Sequence, residues 1–255
     1  MTKNELQQSL KNSIIGKRMY FLWSGGDDSN LLMKIILDFK LYENCDLTVV
    51  TIPFPQHAYS EVTIKACIEY LSRLGIDFKL LRTDKEIPHD INYADACPMC
   101  KIVRREKFIE FYLPQKKDGD IIITGHNLSD LMSYYVELCI MQLKPKNLFH
   151  NRFLEVSNKF LRTYDAEDGI KIHRPLLDCG EPEINSFLLE NSYHEIQIIS
   201  QKCFWLNQRK RLLQEYFVKA SITSSFDHVK ELFEKNFSFP NLKEFRSLPF
   251  DTYLV

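Results

Sequence analysis

Residues 20–39 read YFLWSGGDDSNLLMKIILDF. An apolar run that fits a strand gives way at Ser24-Gly25-Gly26-Asp27-Asp28-Ser29. Apolar residues then return at Leu31, Leu32, Ile35, Ile36 and Phe39, the spacing of one helical face. Two glycines directly after a strand let the backbone turn tightly with its N–H groups facing a ligand, and the next helix points its positive end at the same place. The reading is a strand–turn–helix unit built to receive an anion. It also poses a problem, because acids in a first turn complement the helix dipole without any ligand, and two carboxylates sit where phosphate would go.

Outward from this unit, strand and helix signals alternate. DLTVVTIPF (46–54) is a short buried-strand run and SEVTIKACIEYLSRLG (60–75) an amphipathic helix stopped by Gly75. DFKLLRTD (77–84) is a third strand, followed by an irregular stretch and the helix KIVRREKFIEFYL (101–113). DIIITGHN (120–127) is a fourth strand, SDLMSYYVELCIMQL (129–143) a helix and GIKIHRPLL (169–177) a fifth strand. Strands separated by helices imply an α/β fold with a doubly wound, mainly parallel sheet that binds ligands at the carboxyl ends of its strands. From Pro182 onward, EPEINSFLLENS and FWLNQRKRLLQEYFVKASI read as helices. The expected division is an α/β domain over 1–181 and a helical extension over 182–255, packed on the core.

A chain of 255 residues suits one such domain with an extension. Hydrophobic residues at 45% and charged residues at 26% argue against long disorder. The formal net charge of −1 supplies no overall positive field, so contact with nucleic acid has to come from a local patch. MTKNELQQSLKNSIIGK lacks the apolar core of a signal peptide, and no run reaches the roughly 18 apolar residues of a membrane span, so the expectation is a cytoplasmic protein with no membrane partner. Seven cysteines, an odd number for a reducing compartment, point to metal or redox chemistry rather than a disulfide framework.

A second segment, ITGHNLSD (123–130), ends the fourth strand. SGGDDS resembles the SGGxDS signature of the N-type ATP pyrophosphatase, or PP-loop, family, and ITGHNLSD resembles its TGHNxDD segment about 100 residues further on. The GK[ST] ending of a Walker A loop is missing. The resemblance implies an adenine nucleotide alpha hydrolase-like, Rossmann-like fold, in which ATP adenylates a carbonyl oxygen and releases pyrophosphate. It assigns Ser24, Gly25, Gly26, Asp28 and Ser29 to ATP, with Ile52 in the TIPF segment near adenine. Thr124, Gly125, His126 and Asn127 become the facing wall, and Arg174 lines the site. It also resolves the carboxylate problem, since ATP arrives with Mg2+ and Asp28 and Asp130 would hold the cation or its water shell. Two positions depart from the pattern. Asp27 occupies a place where lysine is frequent, and Ser129 stands where a second acid is usual.

ACPMCKIVRREKF (96–108) is the next most informative stretch. Cys97 and Cys100 can share one ion or cluster, or form a redox pair. The pattern C-x-x-C-x-x-x-R-R, with Arg104 and Arg105, resembles the tRNA 2-thiolation enzymes within the family, the 2-thiocytidine and 2-thiouridine synthetases. In those enzymes two cysteines and a distant third hold a [4Fe–4S] cluster with one iron open. Cys203, after HEIQIIS and before a basic helix, is the third ligand the resemblance favours over Cys179, which follows RPLLD. Cys45, Cys67 and Cys139 fall within or beside predicted elements and read as small apolar residues. Arg104 falls where a basic catalytic residue is expected, able to stabilise the adenylate phosphate. Arg105, Arg209, Lys210 and Arg211, with Lys144 and Lys146, form either an RNA-binding stripe or solvated helix faces. The termini carry no C-x-x-C or C-x-x-H zinc module, which resembles the 2-thiocytidine branch and equally permits a smaller substrate.

The leading expectation is therefore an ATP-dependent sulfurtransferase that adenylates a nucleobase carbonyl in tRNA and replaces oxygen with sulfur. Its partners would be tRNA or a small nucleobase-like substrate, and a sulfur donor such as a cysteine desulfurase, a sulfur carrier or sulfide. A homodimer is left open. The rivals are thiolation of a small molecule, adenylation with structural zinc, and a non-catalytic ATP-binding module.

Overall fold

The computed structural model describes residues 3–53, 61–85, 93–143, 145–166, 169–189, 213, 215–216, 219 and 224–237. In chain order the elements are α1 (Lys3–Ile14), β1 (Arg18–Leu22), α2 (Asp27–Asp38), β2 (Asp46–Thr51), α3 (Glu61–Arg73), β3 (Asp77–Leu80) and α4 (Tyr93–Tyr112). There follow β4 (Ile121–Ile123), α5 (Leu128–Met141), α6 (Lys146–Ser157), β5 (Thr163–Asp165), β6 (Lys171–His173), α7 (Glu181–Leu189) and α8 (Phe226–Asn236). The six strands form one sheet in the order β3-β2-β1-β4-β6-β5. All neighbours run parallel except β5, which pairs antiparallel with β6. This is the doubly wound sheet that the alternation of elements predicts, with strand order reversing between β1 and β4.

Side-chain alternation sets the layers. Met19 and Phe21 of β1, Leu47 and Val49 of β2, and Ile121 and Ile123 of β4 face one cluster, with Leu6, Leu10 and Ile14 of α1, Leu32 and Ile36 of α2 and Ile64 and Leu71 of α3. Tyr20, Val50 and Ile122, the intervening positions, face a second cluster roofed by Phe108 and Tyr112 of α4. Phe108 and Tyr112 stack with centroids 5.5 Å apart, and Tyr20 meets both edge-on. A third cluster joins α5, α6 and α8 through Leu131, Leu138, Phe153, Phe160, Phe226 and Phe233. α7 contributes Ile184 and Leu188 to the first cluster.

Three local readings change. GIKIHRPLL supplies the sixth strand, not the fifth, because Thr163–Asp165 forms a hairpin partner for it, and two three-residue strands are too short to carry an alternation signal. α4 begins at Tyr93, so the C-x-x-C lies inside a helix rather than in an irregular stretch before it. α1, α6 and α8 add helices beyond those expected. Of the helix expected over 204–222, Leu213, Glu215, Tyr216 and Lys219 are described and helical.

Candidate active site

The turn after β1 opens at the carboxyl end of the sheet beside the strand-order reversal. Gly25 adopts φ +76°, which a residue with a Cβ enters only with strain. Gly26 stands at the N-cap of α2 in extended conformation and offers no side chain to the first-turn N–H groups, while its own N–H donates to Ser24 Oγ at 3.4 Å. Polar side chains brace the turn from within. Ser29 Oγ donates to the Gly26 carbonyl at 2.9 Å and lies 3.1 Å from Ser24 Oγ. Asn30 Nδ2 donates to the Gly25 carbonyl at 3.1 Å, while Trp23 Nε1 donates to Asn30 Oδ1 at 2.8 Å. Asn30 was not singled out in the sequence, and its place one turn after the glycines is the only signal for it.

The turn after β4 forms the facing wall. Asn127 caps α5 in a reciprocal box: its Oδ1 accepts from the Asp130 N–H at 2.9 Å, and its own N–H donates to Asp130 Oδ2 at 3.2 Å. Its Nδ2 reaches across to Asp28 Oδ1 at 3.1 Å. One asparagine thereby joins both acids, which stand on different helices. A Cβ on Gly125 would lie 3.4 Å from the Asp28 Cβ, in van der Waals contact, so the two turns meet closely at this point. Thr124 Oγ1 and His126 Nδ1 lie 3.1 Å apart beside them. Ser129, at the position where an acid was expected, is buried, and its Oγ accepts from the Glu181 N–H at 3.4 Å, tying α7 to this end of the sheet. Asp27 is exposed on α2.

The other expected residues are placed as follows. Ile52 is buried directly after β2 within the second cluster. Arg174 is fully buried, and its Nη1 donates to the carbonyls of Asn158 at 3.1 Å and Leu161 at 3.0 Å. Arg104 and Arg105 are half-buried on α4, one turn beyond Cys100, which is itself half-buried. Cys97 lies three residues earlier on the same helix. The Cys97 side chain, Cys203, Arg209, Lys210 and Arg211 lie outside the described residues, as does Lys144. Cys179 is buried in the first cluster, where burial pushes its thiol up to about 12. Cys67 is pushed up to about 12 and Cys45 to about 11 by the same cause. Cys139 packs against the third cluster. Among the described residues no group of three or more His, Cys, Asp or Glu side chains converges.

A doubly wound sheet whose strand-order reversal carries a two-glycine turn facing an Asn–Asp capping box defines the class: a Rossmann-like α/β protein with an anion-receiving turn. The sequence profile of the PP-loop domain matches residues 1–197, and the chain belongs to that family. It is 27% identical over 177 residues to the tRNA 2-thiolation protein NcsA of Haloferax volcanii, covering 63% of this chain and 52% of that protein. It is 25% identical over 203 residues to the tRNA-cytidine(32) 2-sulfurtransferase of Haemophilus ducreyi, covering 72% of this chain and 58% of that one. The chain thus spans little more than half the length of these relatives. Among solved structures, the U34-tRNA thiolase NcsA from Methanococcus maripaludis with its [4Fe-4S] cluster is similar in fold. The TM-score is 0.63 at 18% identity, over 92% of this chain and 76% of that one. Among the described residues, no helix is long and apolar enough to cross a membrane.

Proposed function

We propose that the chain is an ATP-dependent sulfurtransferase that adenylates a nucleobase carbonyl in tRNA and exchanges its oxygen for sulfur, releasing AMP and pyrophosphate. The observation that carries the reading is the Asn127 bridge. It joins a helix end whose N-cap is a glycine, fit for phosphate, to two carboxylates fit for the magnesium that accompanies ATP.

The chain's own groups act by position and charge. The N–H groups of the Ser24–Ser29 turn and the positive end of α2 hold the phosphates that leave as pyrophosphate. Asp28 and Asp130 would hold Mg2+, whose charge offsets that of the leaving group. Asn127 keeps both carboxylates in one orientation, and Arg104 supplies a fixed positive charge from the α4 side. Asp130 serves twice in this account, since its carboxylate also closes the cap of α5.

The donor set suits a cluster. Cys97 and Cys100 stand three residues apart on α4, and Cys100 is half-buried, unlike the core thiols Cys67 and Cys179. A [4Fe–4S] cluster held by Cys97, Cys100 and Cys203 would supply the site for the transferred sulfur. tRNA is the proposed substrate, with Arg105, Arg209, Lys210 and Arg211 on its phosphate backbone.

The test is to purify the chain anaerobically, measure iron and sulfide, and incubate it with ATP, magnesium, tRNA and sulfide. Expected are brown protein, pyrophosphate release that depends on tRNA, and a 2-thio nucleoside in digested tRNA by mass spectrometry. Colourless zinc protein that releases pyrophosphate without tRNA would discard the reading in favour of adenylation of another substrate.

A further inference from the structure

The turn Asn158–Phe160, between α6 and β5, buries a lysine. Lys159 is 2% exposed, and among the described residues its Nζ has no hydrogen-bond partner. A lysine at a helix end ordinarily extends its stem and keeps the ammonium in water, so holding it inside requires the backbone to be fixed from elsewhere. Two anchors do this. Phe160 stacks on Phe233 of α8 with centroids 4.0 Å apart, and Arg174 grips the carbonyls of Asn158 and Leu161 on either side. The same arginine orients the Asn158 amide, with Nη2 3.5 Å from Oδ1, which leaves the buried Asn158 Nδ2 as a second donor lacking an acceptor. Two adjacent buried donors with no acceptor among the described residues are costly to the fold. A fold keeps such a cost where a ligand removes it.

The surroundings say where that ligand lies. The charges that reach Lys159 are Arg174 after β6, Lys101 on α4 next to Cys100, Glu155 on α6 and Asp130 in the first turn of α5. The turn that carries the amine is gripped by Arg174, which directly follows β6 at the carboxyl end of the sheet, and β6 lies beside β4, whose following helix α5 holds Asp130 in its first turn. We propose that Lys159 and the Asn158 amide form a buried receptor for a phosphoryl oxygen of the bound mononucleotide, beside Asp130. The proposal rests on the nucleotide reading above and adds two residues to it, neither of which belongs to a motif in the sequence.

A consequence follows for protons. Burial, with Arg174 and Lys101 pushing the same way against Glu155 and Asp130, holds the amine well below the ordinary lysine range, and an anion beside it acts in the opposite direction. The phosphoryl group then favours the ammonium, and a proton is drawn from the buffer onto Nζ. Binding of the anion and of the proton are linked.

Calorimetric titration of the full chain with AMP, in two buffers of different protonation enthalpy near neutral pH, reads this directly. Wild type is expected to take up about one proton per AMP. Lys159→Met should lose that uptake and bind AMP about tenfold or more weakly, while adenosine, which has no phosphate, binds both proteins alike. Its melting temperature should be equal or higher, because the change removes an unpaired buried amine. Lys159→Gln repeats the comparison should the methionine variant misfold. Equal proton uptake by wild type and variant, no uptake in wild type, no AMP binding by wild type, or adenosine binding as tightly as AMP would each overturn the receptor. The two proposals fail separately. A chain with the proton-linked AMP site but no tRNA thiolation loses the proposed function alone, and a thiolating enzyme whose Lys159→Met variant binds AMP normally loses the receptor alone.

Discussion

β1 and β4 lie side by side, and their two ends are built on opposite principles. At the amino end, Arg18 Nε and Nη2 donate to both oxygens of Asp120 at 2.9 and 2.6 Å, and Tyr112 Oη and the Lys117 N–H also donate to that carboxylate. Asp120 is 1% exposed and has four bonds from three residues, so the charge is buried at full satisfaction. At the carboxyl end, the turns are made of Gly25, Gly26 and Gly125, α2 starts without a capping side chain, and two acids share one asparagine. One end is closed on itself. The other spends its polar groups in a way that a charged ligand would complete, which is how doubly wound sheets separate stability from binding.

Four measurements would sharpen or break this contrast, from the largest expected effect to the smallest. Asp120→Ala removes the carboxylate that Arg18, Tyr112 and the Lys117 N–H share, and should cost roughly 3 kcal/mol in denaturant unfolding while leaving nucleotide affinity of the folded fraction unchanged. A loss of affinity without a loss of stability would show that the amino end is no mere clamp. Asp28→Ala should do the reverse, lowering pyrophosphate release about a hundredfold with iron content and melting temperature nearly unchanged. Loss of iron in that variant would join sites that are here kept apart.

The third prediction concerns pH. His173, the last residue of β6, is buried with Nδ1 2.9 Å from Thr163 Oγ1 and Nε2 3.2 Å from Ser13 Oγ. Burial, aided by the charges of Arg162, Arg174 and Lys171, lowers its pKa from the ordinary 6.5 to about 4. A group that stays neutral in the fold but protonates in the unfolded chain contributes stability fully above about pH 6.5. That contribution falls as pH drops towards 4. Between pH 7 and 5 the loss should be about 2 kcal/mol. His173→Gln should flatten that slope, and an unchanged slope would assign the acid sensitivity elsewhere. The fourth and smaller effect is expected from Gly25→Ala, at roughly 1 kcal/mol, because its φ of +76° strains a residue with a Cβ. Gly26→Ala, with its nearest neighbour Ser24 Oγ 3.6 Å from the added carbon and no positive φ, should cost less.

The sequence by itself determined the parts whose causes are local. A strand, two glycines and an amphipathic helix specify the phosphate turn over one short stretch, since glycine sterics, helix periodicity and dipole direction need no distant partner. The alternation of strands and helices likewise specified the doubly wound sheet. Short elements escaped: the three-residue β5 carries no period, and α4 extends upstream through Cys97 and Pro98 against the local signal of a proline. Only the tertiary structure decided which polar side chains meet. Asn127 finds Asp28 across 99 positions because β1 and β4 are neighbours, and Lys159 is buried because Phe160 and Arg174 pin its turn. A lysine reads as surface in any sequence, and its desolvation is a property of everything packed around it.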